Sequence, residues 1–262
     1  PQRPLLVALT GTDLYRDVRK SARARRSLGW ATRLILLQRN GLGELSPPMR
    51  KRASVIYQSS RRISSPAPKN FATFDVCVVG HLRCEKDPFR TAHAARLLPA
   101  SSRVRVLHAG RALGGEFRRR ALAEMKRNFR YRWLGEMPRR RALRLIARSR
   151  LLVLSSKMEG GANVLSEALA ASTPILASRI PGSIGVLGSD YRGFFRPGDT
   201  RGLASLLKRV EADPRFYETL RTQCARAAGL VDPRRERSAW KRLLGEIGRN
   251  GSGVAKLSGR RA

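Results

Sequence analysis

Short runs of consecutive apolar residues alternate with longer stretches in which apolar positions recur every three or four residues, along nearly the whole chain. The runs at 5–10, 33–38 and 54–58 predict strands, joined by basic, polar or proline-containing connections. Residues 59–73 carry Pro66, Pro68 and a cluster of serines and predict a linker. A second series opens at Phe74. Asp75-Val76-Cys77-Val78-Val79-Gly80 is continuous, β-branched and closed by glycine, the signature of a strand buried on both faces. Further strands are predicted at 104–108, 131–134, 151–154 and 175–178. Helices are predicted at 87–98, with Asp87 as N-cap and Pro88 in the first turn, and at 116–127, 138–148 and 163–171. In the 138–148 helix Leu143 and Ile146 are expected to face inward. Three more helices, at 200–212, 214–228 and 233–248, close the chain.

Strand–helix alternation predicts parallel sheets covered on both faces, hence an α/β fold. The linker divides it into two Rossmann-like lobes with a cleft between them. The expected boundaries are 1–58 for an N-terminal lobe, 59–73 for the linker and 74–248 for a second lobe. Residues 249–262, rich in Gly, Ser and basic side chains, are expected to form a flexible tail. In such folds ligands gather at the carboxyl ends of strands, so the residues just after each strand are searched first.

Composition narrows the classes. There is no apolar run long enough to span a bilayer, and the chain opens directly into Leu5-Leu6-Val7-Ala8-Leu9 with no charged leader or cleavage site. Cys77, Cys84 and Cys224 show neither metal-ligand spacing nor an even count, so a cytoplasmic setting is expected. With 54 Lys and Arg against 19 Asp and Glu, the net charge is +35. On charge alone nucleic acid is a candidate partner, but no recognition motif or aromatic platform accompanies the arginines, so no specific nucleic acid is expected. The field favours anionic substrates such as nucleotides and phosphorylated compounds. The basic cluster around Arg19–Arg26 leaves membrane association open.

Two segments after strands carry chemistry. In Ser155-Ser156-Lys157-Met158-Glu159-Gly160-Gly161-Ala162-Asn163 a strand ends, a glycine pair turns the chain and a helix begins. Backbone N–H groups at Gly160, Gly161, Ala162 and Asn163 and the helix N-terminus make a diphosphate cradle that requires no metal or cofactor. Glu159 precedes the turn, and Glu167, one turn into the helix, can accept from ribose hydroxyls. In Gly80-His81-Leu82-Arg83-Cys84-Glu85-Lys86-Asp87 three basic side chains, His81, Arg83 and Lys86, follow a strand end.

Glu159 and Glu167, separated by seven residues after a strand and followed by Ser172-Thr173-Pro174, resemble the signature of the GT-B glycosyltransferases of family 4. Ser172 stands where that family usually has Gly, so a left-handed backbone there implies strain. The resemblance implies that Glu159 meets the donor sugar and Glu167 the ribose, that Lys86 and Glu159 are catalytic, and that the backbone of Gly135, Glu136 and Met137 meets the base. His81 takes the place of the family's Arg, and Lys86 matches its Lys; the resemblance implies that these two, with Arg83, meet the donor phosphates. Gly11-Thr12-Asp13 resembles the acceptor-side segment, although the spacing fits an Asx N-cap equally well.

Phe74–Arg83, Glu85–Ala92, Lys157–Ala170 and Ala177–Gly188 together resemble, more narrowly, the selenosugar synthases of selenoneine biosynthesis. That resemblance implies transfer of a sugar from a UDP-sugar, UDP-GlcNAc foremost, to selenophosphate or another small anionic acceptor. Proteins of that group begin well upstream of Pro1, which implies a partial N-terminal, acceptor-side lobe at 1–58 and a nucleotide-sugar lobe at 74–248. Two alternatives stay open: another family 4 transferase acting on a lipid, polysaccharide or small thiol, and a non-catalytic nucleic-acid-binding protein on a transferase-like fold.

Overall fold

The computed structural model describes residues 3–62 and 72–257, with side chains through 249. Two parallel sheets organise it. The first has the order β1-β2-β3, from Leu6–Leu9, Arg33–Leu36 and Ala53–Val55. A turn of π-helix at Asp13–Asp17, α1 (Val18–Lys20) and α2 (Ala22–Gly29) join β1 to β2. A 3-10 segment at Arg39–Glu44 and α3 (Pro47–Lys51) join β2 to β3.

The second sheet has six parallel strands: β4 (Phe74–Val79), β5 (Val104–Ala109), β6 (Tyr131–Trp133), β7 (Leu151–Leu154), β8 (Ile175–Ser178) and β9 (Phe194–Phe195). Their order, β6-β5-β4-β7-β8-β9, is that of a doubly wound sheet, and it reverses between β4 and β7. Val76 and Cys77 pair with Leu151 and Leu152 across that point. The connections are α4 (Arg90–Arg96), α5 (Gly115–Arg127), α6 (Arg139–Arg148), α7 (Asn163–Ala170) and α8 (Pro181–Leu187). They are followed by α9 (Thr200–Ala212), α10 (Pro214–Ala228) and α11 (Pro233–Leu257).

Local chemistry accounts for the boundaries. The carboxylate of Asp199 accepts from Gly202 N–H at 2.8 Å and caps α9, and Asp213 accepts from Phe216 N–H at 3.0 Å and caps α10, which has Pro214 in its first turn. The α6 helix buries Leu145, Ile146 and Ala147, with Leu143 only half-buried, so the inward face is centred on Ile146 and Leu143 lies at its edge. The helix expected from Asp87 starts later, at Arg90. Asp87 is left-handed (φ 43°) and closes a 3-10 turn at Cys84–Lys86, and its carboxylate accepts from Arg90 Nε at 2.7 Å. Ser172 is also left-handed, at φ 55°.

The strand period of two divides the N-terminal core. Leu34 and Leu36 join Leu9, Leu14 and Leu45 on one face of the small sheet, while Ile35 points to the other face, against Ile56 and Leu243. Leu243 comes from α11. That helix therefore packs on the N-terminal sheet through Ala239, Trp240, Leu243 and Ile247, with Arg33 Nη2 3.9 Å from Glu246. Two expected boundaries change accordingly. The last helix belongs by packing to the N-terminal sheet rather than to a lobe ending at 248, and it continues to Leu257 instead of giving way to a tail at 249. Of the expected linker 59–73, residues 63–71 lie outside the described residues, as do 258–262 of the tail. Among the described residues no helix is long and apolar enough to cross a membrane.

Candidate functional site

The reversal between β4 and β7 opens a crevice at their carboxyl ends, and both motif-bearing segments start there. The Gly80–Asp87 loop is tied to the end of β7. Lys157 N–H donates to Glu85 O at 2.8 Å, and the Ser155 hydroxyl donates to the carbonyls of Lys86 and Asp87 at 3.1 and 3.0 Å. These bonds bring Lys86 to Glu159, with Nζ donating to Oε1 at 2.5 Å. Glu159 is buried and Lys86 half-buried, so the pair is only weakly screened by water.

A cavity of about 520 Å3 occupies the crevice. His81, Arg83, Lys86, Glu136, Met137, Glu159, Gly161, Ala162, Asn163 and Glu167 all line it. The α7 helix begins at Asn163 behind an N-cap, Ala162, whose methyl group cannot accept a hydrogen bond, so no side chain caps the helix. Its first amides and positive dipole end thus remain available to an anion. Three carboxyl side chains, Glu136, Glu159 and Glu167, share the wall with the basic side chains of Arg83 and Lys86. A ligand that combines a diphosphate with several hydroxyls needs such a mixture of donors and acceptors.

The glycine pair serves a second purpose. A Cβ on Gly160 would sit 2.0 Å from the carbonyl oxygen of Thr10, and one on Gly161 would sit 2.6 Å from Leu37 Cβ. A Cβ on Gly182 would lie 2.0 Å from the carbonyl of Glu159 itself. The glycines allow the two sheets' loops to meet at backbone distance, with Glu159 held between them.

Glu167 receives a hydrogen bond from Arg139 Nε at 3.3 Å. Burial raises the carboxyl's pKa, and Arg139 opposes that rise. Two histidines shape the opposite wall. His81 Nδ1 accepts from Arg111 N–H at 3.1 Å, which places the imidazole proton on Nε2. Beneath it His108 is fully buried, between Tyr131 Oη at 3.0 Å and the Gly80 carbonyl at 3.3 Å. Burial lowers the His108 pKa to about 4, so the ring is neutral. In that state Nε2–H donates to Gly80 O while Nδ1 accepts from Tyr131, fixing the carbonyl just before His81.

Several expected residues stand outside the cavity wall. Thr12 and Asp13 do not line it. Asp13 folds back on its own loop, accepting from Thr10 N–H and Thr10 Oγ1 at 2.8 Å each, and no side chain caps the turn that follows, so Asp13 is not the Asx N-cap its spacing also fitted. Gly11 packs beside the backbone of Glu159 and Gly160. Gly160 is occupied by the Thr10 contact. Gly135, left-handed at φ 70°, accepts from Gly110 N–H at 2.8 Å and leaves Glu136 and Met137 to line the wall. The first sheet contributes Thr10, Leu37 and Gln58 instead. Each stands just past the end of a strand, yet all three fall inside the runs 5–10, 33–38 and 54–58 read as strands, so a search of the residues after those runs passes over them. Gln58 is held there by Ser166, whose hydroxyl donates to its carbonyl at 2.7 Å. Arg139 had no sequence signal beyond its place in a run of arginines.

The sequence profile of the family Glycosyl transferases group 1 matches residues 60–229, well over half the chain and all of the second sheet. The chain belongs to this family. It is therefore a sugar-transferring enzyme, and its fold is GT-B. No curated protein matches the sequence. Solved structures similar to this glycosyltransferase include Anabaena HepE in complex with UDP and glucose, at 18% identity and a TM-score of 0.76, covering 94% of this chain and 72% of that one. The pneumococcal O-GlcNAc transferase GtfA with UDP and GlcNAc is 15% identical with a TM-score of 0.73, covering 93% and 52%. The UDP-forming α,α-trehalose-phosphate synthase from Burkholderia vietnamiensis is 12% identical with a TM-score of 0.74, covering 97% and 68%. These likenesses establish the shared fold.

Proposed function

We propose that this glycosyltransferase is a hexosyltransferase that uses a UDP-sugar, UDP-GlcNAc foremost, and passes the sugar to selenophosphate or a closely related small anion. The carrying observation is the cavity at the β4–β7 reversal, lined by an uncapped helix N-terminus, the Lys86–Glu159 pair and Glu167. In this reading Lys86, Arg83, the Nε2–H of His81 and the first amides of α7 take the diphosphate. Glu167 accepts from the ribose, Glu136 and Met137 flank the base, and Glu159 accepts from the sugar hydroxyls. Similar folds have been solved with UDP, glucose and GlcNAc, which supports a UDP-sugar donor.

The selenium lone pair forms the new bond to the anomeric carbon as the bond to the diphosphate oxygen breaks, and UDP leaves with that electron pair. The protein's contribution is positional and electrostatic: it holds the donor and stabilises the charge gathering on the departing diphosphate. The acceptor assignment rests on the runs Phe74–Arg83 and Lys157–Ala170 and on the cations that reach the cavity. Incubating the protein with UDP-GlcNAc and selenophosphate and following UDP release and products by mass spectrometry tests it. A selenium-bearing amino sugar is expected. UDP release without selenium in the sugar would overturn the acceptor while leaving the donor reading intact.

A further inference from the structure

We propose that Arg139 is a positioning residue for nucleotide recognition: its guanidinium anchors one oxygen of Glu167 so that the other is presented to the donor's ribose diol. The inference rests on the reading of Glu167 as the ribose acceptor.

Arg139 is the first residue of α6, two residues after Met137 in the cavity wall, and Glu167 is in the second turn of α7. The hydrogen bond from Nε to Oε1 therefore bridges two helices rather than following one. The contact is selective. Arg140, Arg141, Arg144 and Arg148 on the same helix form no ion pair among the described residues. Arg139's side chain is 71% exposed and Glu167's 12%, so an otherwise solvated arginine is spent on a carboxylate inside the wall. With Oε1 occupied, the carboxylate cannot turn freely, and Oε2 has no other partner among the described residues.

Electrostatics act in the same direction. Burial favours the neutral carboxyl of Glu167, and Arg139 is the charge that opposes it. Keeping the group ionised keeps it an acceptor, as two hydroxyl donors require. A site that accepts from hydroxyls discriminates strongly against a ligand lacking them.

Calorimetric titration of the wild type, Arg139→Ala, Arg139→Lys and Glu167→Ala with UDP and with 2′,3′-dideoxy-UDP tests the inference. The wild type is expected to prefer UDP by about tenfold or more, the range for hydrogen bonds to a charged group. Arg139→Ala is expected to lose most of that preference while its affinity for the dideoxy nucleotide stays unchanged, and Arg139→Lys to recover part of it. Unchanged preference in Arg139→Ala, or equal weakening toward both nucleotides, would overturn the proposal. If Glu167→Ala itself retains the preference, the ribose reading fails and the inference fails with it. If Glu167→Ala loses the preference and Arg139→Ala does not, the inference alone is wrong. Because Arg139 is exposed, melting of its variants without nucleotide should match the wild type.

Discussion

Lys86 Nζ donates to Glu159 Oε1 across 2.5 Å, pairing a side chain from the loop after β4 with one from the loop after β7. The proposed roles set the two partners in competition, because a donor diphosphate must draw Lys86 away from Glu159. Replacing Lys86 with Met should weaken UDP binding by roughly tenfold or more, the scale of a lost charge-assisted contact. Glu159→Gln releases Lys86, so it should bind UDP as tightly as the wild type or more tightly while transfer falls by about 100-fold. Parallel measurement of UDP affinity and turnover checks both. Loss of UDP affinity in Glu159→Gln would contradict the competition.

His108 predicts an acid-labile fold. Its folded pKa of about 4 lies below the ordinary 6.5, so between those values the unfolded chain holds more protons than the folded one. The contribution is complete above pH 6.5 and is lost as the pH falls toward 4, amounting to about 3 kcal/mol. Denaturant melts of the wild type and His108→Gln between pH 4 and 7 should show a shallower pH dependence in the variant.

Ser172 holds a left-handed conformation that glycine adopts without strain. Ser172→Gly should stabilise the protein by about 1 kcal/mol and raise Tm by roughly 2–4 °C. A lower Tm would mean that the exposed hydroxyl has an unrecognised role.

A Cβ at Gly160 meets the Thr10 carbonyl at 2.0 Å, closer than any rotamer change can relieve. Gly160→Ala should cost about 1–3 kcal/mol of stability and lower UDP affinity by shifting Glu159 and the start of α7. Thermal melts with and without UDP separate the two effects. A variant that melts and binds like the wild type would show that the loops are not held at this point.

Most of the second sheet was legible because its strands are short, largely apolar and sharply bounded: 151–154 and 175–178 coincide with β7 and β8, and 200–212 and 214–228 with α9 and α10, whereas the seven-residue α8 and two-residue β9 are too short to leave a pattern. The left-handed backbone at Ser172 was likewise legible, from a serine in a glycine's place. Less was readable where tertiary contacts decide. Nothing local indicates that α11 returns to cover Ile35, since its amphipathic face fits any apolar surface. Asp87 reads as an N-cap because Pro88 follows it, yet its carbonyl is drawn into the Ser155 bond and the helix starts three residues later. In the site, Glu159, Lys86 and Glu167 could be picked out by residue type and spacing. Thr10, Leu37 and Gln58 could not, because they reach the cavity only when the two sheets' loops meet across Gly160 and Gly161.

The central claim is that the cavity at the β4–β7 reversal holds a uridine diphosphate, and titration of the protein with UDP by calorimetry tests it most directly. The account predicts saturable one-to-one binding, weakened about tenfold or more in both Lys86→Met and Glu167→Ala. No saturable heat with the folded wild type, or binding that both variants retain in full, would contradict it.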